Sequence, residues 1–337
     1  EFPDLYISTS ADIFSNMREY ERWTTATVNA YTQPLFDRYL QRLTDGLAAD
    51  GFTGRLLVMT SSGGMLAPEA ARRYPVRALE SGPAAGALMS AFHGRALKIP
   101  NLLSFDMGGT TAKGALVNDY QPLKQYDMEI ARLHDFKRGS GLPVNLTTVE
   151  LVEIGAGGGS IAHCDTLGLL KVGPESASAV PGPACYGRGG TEPTVTDADL
   201  LLGYLDPAGF SSSGLTIDVA QAASAAERLG KILNLSSQDA ALGIHEVVCE
   251  TMARAAQVHL AKKGRDPRDY TLYATGGAAP VHACAVAARL GISRVIIPPA
   301  AGVASALGLA VAPARVDRTA AVGGLVYALT FSTLDAT

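Results

Sequence analysis

An excess of basic residues is missing. Across 337 residues, 28 Lys and Arg stand against 32 Asp and Glu, a formal charge of −4. Nucleic-acid binding needs a concentrated Lys/Arg face to neutralise phosphates, so this balance argues against such a partner. No run of five like charges marks an interaction tail. Four cysteines, Cys164, Cys185, Cys249 and Cys284, are spread without a CxxC pair, which gives neither zinc-ligand spacing nor a disulfide framework. They read as ordinary thiols of a reducing cytoplasm. No signal peptide is visible. The apolar stretch 295–313 is broken by Pro298, Pro299, Gly302 and Gly308 and is mostly Ala, too weak to span a bilayer. A GxxxxGK[ST] phosphate loop is absent. So is an initiating Met: the chain opens on Glu1-Phe2, native or a cloning remnant, and then on what reads as mid-protein sequence. The expectation is a fragment.

What is present points to an α/β protein. The length suits about two domains or one large one. An apolar fraction of 47% can fill real cores, and 36 glycines with Ala-rich helical stretches suggest close backbone packing rather than a β-sandwich. Apolar residues recur every three to four positions from Ile13 to Leu47, predicting one or two helices over 11–50. A short strand at 55–59, the turn Ser61-Ser62-Gly63-Gly64 and a small-residue helix entered at Pro83 follow. Strands at 102–106, 112–118 and 125–130 form a predicted meander. Residues 134–190 are Gly/Pro-rich and irregular apart from short strands near 149–154 and 169–172. Then come a helix over 238–263 closed by Gly264, a strand at 271–274, the turn Gly276-Gly277, a helix over 279–290, a strand at 295–297 and a helix over 300–310. One echo organises the chain. Strand, Gly-Gly turn, helix and small-residue helix run from Leu56 to Leu88 and again from Thr271 to Gly308, about 215 residues apart and so no solenoid repeat. This looks like a duplicated lobe whose first copy has lost its beginning.

The segment Asp106-Met107-Gly108-Gly109-Thr110-Thr111 has the parts of a phosphate cradle. Two glycines permit a tight turn whose N–H groups can meet an anion without a side chain in the way. Thr110 and Thr111 can donate hydroxyls, and Asp106 at the strand end can hold a metal-bound water or orient an attacking one. A plain Gly hairpin with a turn Asp is the alternative for this segment alone. Its setting resembles the order in the actin, Hsp70 and sugar-kinase ATPases: small-residue helix, apolar strand, Gly turn, second strand. There the loop is the second of two phosphate loops, Gly276, Gly277 and Ala278 stand where the adenosine motif does, and the first phosphate loop belongs before residue 1. Lys113, seven residues after Asp106, keeps open a register in which this is the first loop.

Five motifs narrow the resemblance. SFDMGGTTAK at 104–113, EIGAGGGSIA at 153–162, PGPACYGRGG at 181–190, TVTD at 194–197 and GGAAPVHA at 276–283 together resemble the hydantoinase A/oxoprolinase family over nearly all of residues 1–320. The resemblance implies an RNase H-like lobe of the actin/Hsp70/sugar-kinase type at 81–337, with a Gly/Pro-rich insertion at about 134–215. Residues 1–80 would be the remainder of a first lobe. It further implies ATP with magnesium or another divalent metal, an N-terminal domain with its own DxGGT loop that these residues lack, and a hydantoinase B-like partner subunit. Lys113 stands where the family loop often carries Asp.

Further candidates lie in the other motifs. Gly155, Gly157, Gly158, Gly159 and Ser160 could form a second anion nest for substrate or a phosphorylated intermediate, or simply a turn between strands. Arg188 could clamp an anion bidentately. Cys185 is a weak candidate nucleophile, having no His tied to it by sequence. Asp197 reads as a metal ligand or as a helix cap. His282 is expected to pack or cap, and His245 and His259 to be ordinary residues of the long helix.

The reaction implied by the family is ATP-driven phosphorylation of a poor electrophile, which water or a carbon nucleophile then attacks. A cyclic amide hydrolase acting on a hydantoin, 5-oxoproline or lactam is the preferred expectation. A ketone carboxylase subunit is the second, and a catalytically silent fragment that binds a partner subunit the third.

Overall fold

The computed structural model describes residues 5–15, 18–133, 139–210 and 214–313. Glu1-Phe2, residues 314–337 of the expected second lobe and short pieces of its insertion lie outside them. The chain divides into two units, one drawn from 1–85, 124–149 and 309–337, the other from 86–123 and 150–308.

The first unit is built on α1, Glu19–Ala49, with a short separate turn of helix at Ser10–Ile13 before it. Asn29 on its buried face donates to Arg73 O (3.1 Å) and accepts from Val76 N (3.3 Å), which satisfies an otherwise costly buried amide. The strand expected at 55–59 reduces to β1, Val58–Met59, paired antiparallel with β2, Met65–Leu66. The third strand of the predicted meander does not join its neighbours. Lys124–Gln125 pairs with Thr148–Val149, and Met128–Ile130 with Leu142–Val144, all within this unit. Two causes are visible. Pro122 offers no N–H to extend the ladder, and Met128 and Ile130 pack instead against a cluster of Val28, Val76, Val144 and Leu146.

The second unit contains most of α2 (Ser81–Leu97), then β3 (Leu102–Met107), β4 (Ala112–Asn118) and β5 (Leu151–Ile154). Helices α3 (Val195–Leu201), α4 (Val219–Leu233) and α5 (Ser237–Lys262) follow. The chain continues through β6 (Thr271–Thr275), α6 (Ala279–Leu290), β7 (Val295–Ile296) and α7 (Ala304–Ala310). The sheet runs β5-β4-β3-β6-β7, with Gln121–Pro122 beside β4. Strands β3, β4 and β5 are antiparallel, while β6 lies parallel to β3 and β7 parallel to β6. Both central strands are covered on both faces, as their near-continuous apolar sequence requires. Leu103, Phe105, Met107, Leu272 and Ala274 enter one core with Ile244, Val248, Met252 and Leu260 of α5 and Val286 of α6. Leu102 and Tyr273 enter the other with Ala91 of α2. That alternation is the period-two pattern of a strand. Helix α4 was not expected from the sequence. Asp218 caps its start by accepting from Ala220 and Gln221 N–H, and Asn234 ends it in the left-handed region. No described helix is long and apolar enough to cross a membrane.

Candidate functional site

The glycine turns gather at the carboxyl end of β3. Gly108 N donates to Thr111 O (3.1 Å), closing the turn between β3 and β4 with Gly109 and Thr110 exposed at its tip. Asp106, the penultimate residue of β3, accepts from Ser305 Oγ of α7 at 3.1 Å. A methyl group on Gly86 of α2 would stand 3.1 Å from Ser305 Oγ and 3.6 Å from Asp106 Oδ2, so the two small-residue helices of the sequence echo meet beside Asp106. Thr275 at the end of β6 pairs with Asp106 in register. The next residue, Gly276, has φ +88°, and a side chain there would overlap Met107 O and Asp106 Oδ1. Only glycine fits. Ala278 N then donates to Met107 O (3.0 Å), so the turn at 276–278 is tied to the glycine turn at 106–111. Lys113 is the cross-strand partner of both Asp106 and Glu153, with its Nζ 3.6 Å from Glu153 Oε1.

The loop at 155–160 lies against this turn from the other side. Gly157 N donates to Ser160 Oγ (2.8 Å), Gly158 N to Gly108 O (3.0 Å), Gly159 N to Gly109 O (2.6 Å) and Ser160 N to Gly157 O (3.0 Å). Each of these groups thus has a protein acceptor, and the loop acts as a buttress. Thr196 on α3 continues it, donating through N (2.7 Å) and Oγ1 (2.8 Å) to Gly158 O. Asp197 accepts from Ala184 N, Cys185 N, Thr194 N and Thr194 Oγ1 at 2.8–3.1 Å. Four donors occupy its two oxygens, in a capping box at the start of α3. The Cys185 thiol above it is pushed upward by burial and then by the Asp197 charge, which makes it a poor nucleophile. Arg188 is exposed on the loop beyond it, and no hydrogen bond or ion pair among the described residues ties it to the glycine turns. The outer sides of the turns are open: a methyl group on Gly108, Gly109 or Gly277 would meet nothing within 4 Å.

The hydantoinase/oxoprolinase family model matches residues 22–318. The chain belongs to the hydantoinase/oxoprolinase family. It is 34% identical over 322 residues to caprolactamase subunit alpha of Pseudomonas jessenii, covering 94% of this chain and 44% of that protein. It is 35% identical over 301 residues to the acetophenone carboxylase gamma subunit of Aromatoleum aromaticum, covering 89% and 40%. The nucleotide-free structure of acetone carboxylase, an enzyme of ATP-dependent acetone carboxylation, superposes with a TM-score of 0.78 at 27% identity, covering 89% of this chain and 41% of that one. This family member therefore spans less than half the length of these three relatives.

A second cluster lies in the core of this family member and was missed by sequence reasoning. Asp199 of α3 contacts His245 Nδ1 of α5 at 2.9 Å and His282 Nε2 of α6 at 3.1 Å, the first as a hydrogen bond, the second poorly aligned for one. Burial pulls Asp199 toward its neutral form, but the His245 hydrogen bond and the adjacent His282 outweigh it and hold the carboxyl below its usual range. Cys249 lies one turn beyond His245 on α5. Burial pushes its thiol up to about 12. The signal was the His245/Cys249 spacing of four on a helix, which puts both on one face; no spacing joins them to Asp199 and His282.

Proposed function

We propose that this chain supplies one face of an ATP site in an enzyme that opens a cyclic amide ring, such as a hydantoin, 5-oxoproline or lactam, through a phosphorylated intermediate. The carrying observation is the convergence of the turns at 106–111 and 276–278 on Asp106, packed to contact on their inner sides and open on their outer sides. We read residues 81–337, which contain the second unit, as the RNase H-like lobe of the actin, Hsp70 and sugar-kinase type, with 1–80 the remainder of a preceding lobe.

In this reading the N–H groups of Gly109–Thr111 and the hydroxyls of Thr110 and Thr111 hold phosphate oxygens, with Gly108 closing the turn, and Gly276, Gly277 and Ala278 back the adenosine. Magnesium or another divalent ion beside Asp106 would neutralise phosphate charge. That role falls to Asp106 rather than Asp197, whose oxygens are taken. The amide oxygen attacks the terminal phosphorus and ADP leaves. Water then adds to the activated carbon, the C–N bond breaks with its nitrogen protonated, and a second water cleaves the resulting acyl phosphate to carboxylate and free phosphate. Positioning and charge stabilisation carry the catalysis. The loop at 155–160 holds the phosphate turn in shape, and Arg188 is available for an anion at the rim.

A hydantoinase B-like subunit is the expected partner, supported by the naming of the relatives as subunits, and the cytoplasm the expected location. Alone, the 337-residue chain is expected to bind nucleotide weakly and not turn over. The similarity to the acetophenone carboxylase gamma subunit supports a second reading, the nucleotide subunit of a ketone carboxylase. The deciding experiment measures ADP release by the assembled enzyme. Release stimulated by a cyclic amide without bicarbonate supports the hydrolase, whereas strict dependence on bicarbonate and a ketone overturns it in favour of the carboxylase. Absence of nucleotide binding by the assembly, measured by calorimetry, would sink both and leave a silent subunit.

A further inference from the structure

We propose that His245, Cys249 and His282 form a buried structural site for a divalent ion of the zinc type, with Asp199 orienting both imidazoles. The site is separate from the glycine turns and does not depend on the function proposed above.

The geometry is that of a metal site with its outer support in place. Asp199 faces Nδ1 of His245 and Nε2 of His282, so the remaining nitrogens, Nε2 of His245 and Nδ1 of His282, both turn toward Cys249. They lie 3.6 Å and 3.5 Å from its Sγ, and the three donor atoms fall within 4.8 Å of one another. With Zn–S near 2.3 Å and Zn–N near 2.0–2.1 Å, a tetrahedral centre requires a sulfur–nitrogen edge of about 3.6 Å. Both sulfur–nitrogen edges match it, and the ion would draw the two nitrogens, which lie within 4.8 Å of each other, onto the third edge. A carboxylate behind a ligating histidine is the usual means of fixing its tautomer and ring orientation, and here one carboxylate serves two.

Hydrogen bonding alone accounts for less. A thiol carries one proton and can donate to one nitrogen, yet two stand at nearly the same distance. With each neutral imidazole turning its N–H toward Asp199, the second nitrogen would be a buried acceptor without a donor, a costly state. An ion satisfies all three donors together. It also balances charge: a divalent ion, a thiolate and the Asp199 carboxylate sum to zero around neutral imidazoles, leaving no unpaired charge in the core. Two imidazoles and a thiolate suit zinc-type ions, whereas magnesium and calcium prefer oxygen. All four residues are at most 3% exposed, so the ion would sit in the core, held by three protein donors with the fourth tetrahedral position left to a water molecule. It would staple α3, α5 and α6 together. Helix α6 begins directly after the turn at 276–278, and α3 begins at the Thr194–Thr196 contacts to the 155–160 loop, so the ion would fix the helices behind both glycine loops.

The test is to express the chain in minimal medium with cobalt as the added transition metal. About one cobalt per chain is expected, with the intense visible bands of tetrahedral coordination and a thiolate-to-cobalt charge-transfer band in the near ultraviolet. Cys249→Ser should remove the charge-transfer band. Asp199→Asn should weaken metal affinity roughly 10–100-fold. Cys185→Ser, which removes the other buried thiol, should leave the spectrum unchanged. The wild-type spectrum decides first, since a variant could misfold. A folded wild-type chain without cobalt overturns the proposal, as does octahedral cobalt, or a charge-transfer band that persists in folded Cys249→Ser.

Discussion

Gly157 is pressed against the backbone of Thr110: a methyl group added to it would stand 2.5 Å from Thr110 C and 2.7 Å from Thr110 N. Backbone cannot swing aside as the end of a long side chain can, so one turn must move. Gly157→Ala is expected to cost about 1–3 kcal/mol of stability, the usual range for overpacking, and to lower ATP turnover of the assembled enzyme through the displaced 108–111 turn. Gly109→Ala meets nothing within 4 Å. It should keep stability within about 0.5 kcal/mol while still reducing turnover, because its methyl group projects into the proposed phosphate space. Denaturant unfolding of both variants checks the contrast. Equal stability losses would refute the buttress.

Asp106→Asn keeps the shape at the end of β3 and a group able to meet Ser305, but removes the charge. If Asp106 serves the metal–phosphate site, turnover of the assembled enzyme should fall by about 10²–10³-fold, the range seen when one preorganised electrostatic group is lost. Stability should change little. Ser305→Ala loses one hydrogen bond, worth about 1 kcal/mol, and should have a milder effect on turnover. Steady-state ATPase measurements on both variants give the comparison, and an Asp106→Asn enzyme within threefold of wild type would remove Asp106 from the site.

Elements with local signals were legible in the sequence. The strands at 102–106 and 112–118, the helix at 279–290 and the long helix ending at Gly264 appear within a residue or two of their expected bounds, because apolar period and capping residues are encoded next to each other. Helix α4 carries such signals too, in Asp218 and Asn234, but its buried face is mostly alanine, Ala222, Ala225 and Ala226, which leaves little apolar contrast to mark it in the sequence. The 125–130 strand went to another sheet because pairing partners are chosen by packing far along the chain. The same division holds for the sites. The Asp106 turn is continuous in sequence and could be found there, whereas Asp199, His245, Cys249 and His282 come from three helices, and folding alone brings them together.

The four thiols should separate by reactivity. Cys284 is exposed and Cys164 partly so, while Cys185 and Cys249 are buried, and burial pushes the Cys185 thiol upward. Because the thiolate is the reacting species, Cys284 should be modified first by a disulfide reagent at neutral pH and Cys164 more slowly. Cys185 and Cys249 should react only at the unfolding rate. Mass spectrometry of the labelled peptides reads this order, and fast native labelling of Cys185 would reopen its candidacy as a nucleophile.

His259, in the last turn of α5, should give the chain an acid-sensitive stability. It is 8% exposed, and its Nε2 has no hydrogen-bond partner among the described residues. Burial lowers its proton affinity. Glu150 works against that, and Lys263 and Lys262 reinforce it, while Lys263 and Glu150 also pair with each other at 2.8 Å. A histidine depressed in the folded state binds its proton more readily when unfolded. Its contribution to stability is therefore fully present above the unfolded value of about 6.5 and is lost as pH falls below that toward the folded value. His259→Gln removes the titrating group, so its unfolding midpoint should fall less steeply than that of wild type between about pH 7 and pH 5.5. Parallel slopes for the two proteins, measured by denaturant unfolding across that window, would show that His259 protonates as easily in the folded chain as in the unfolded one.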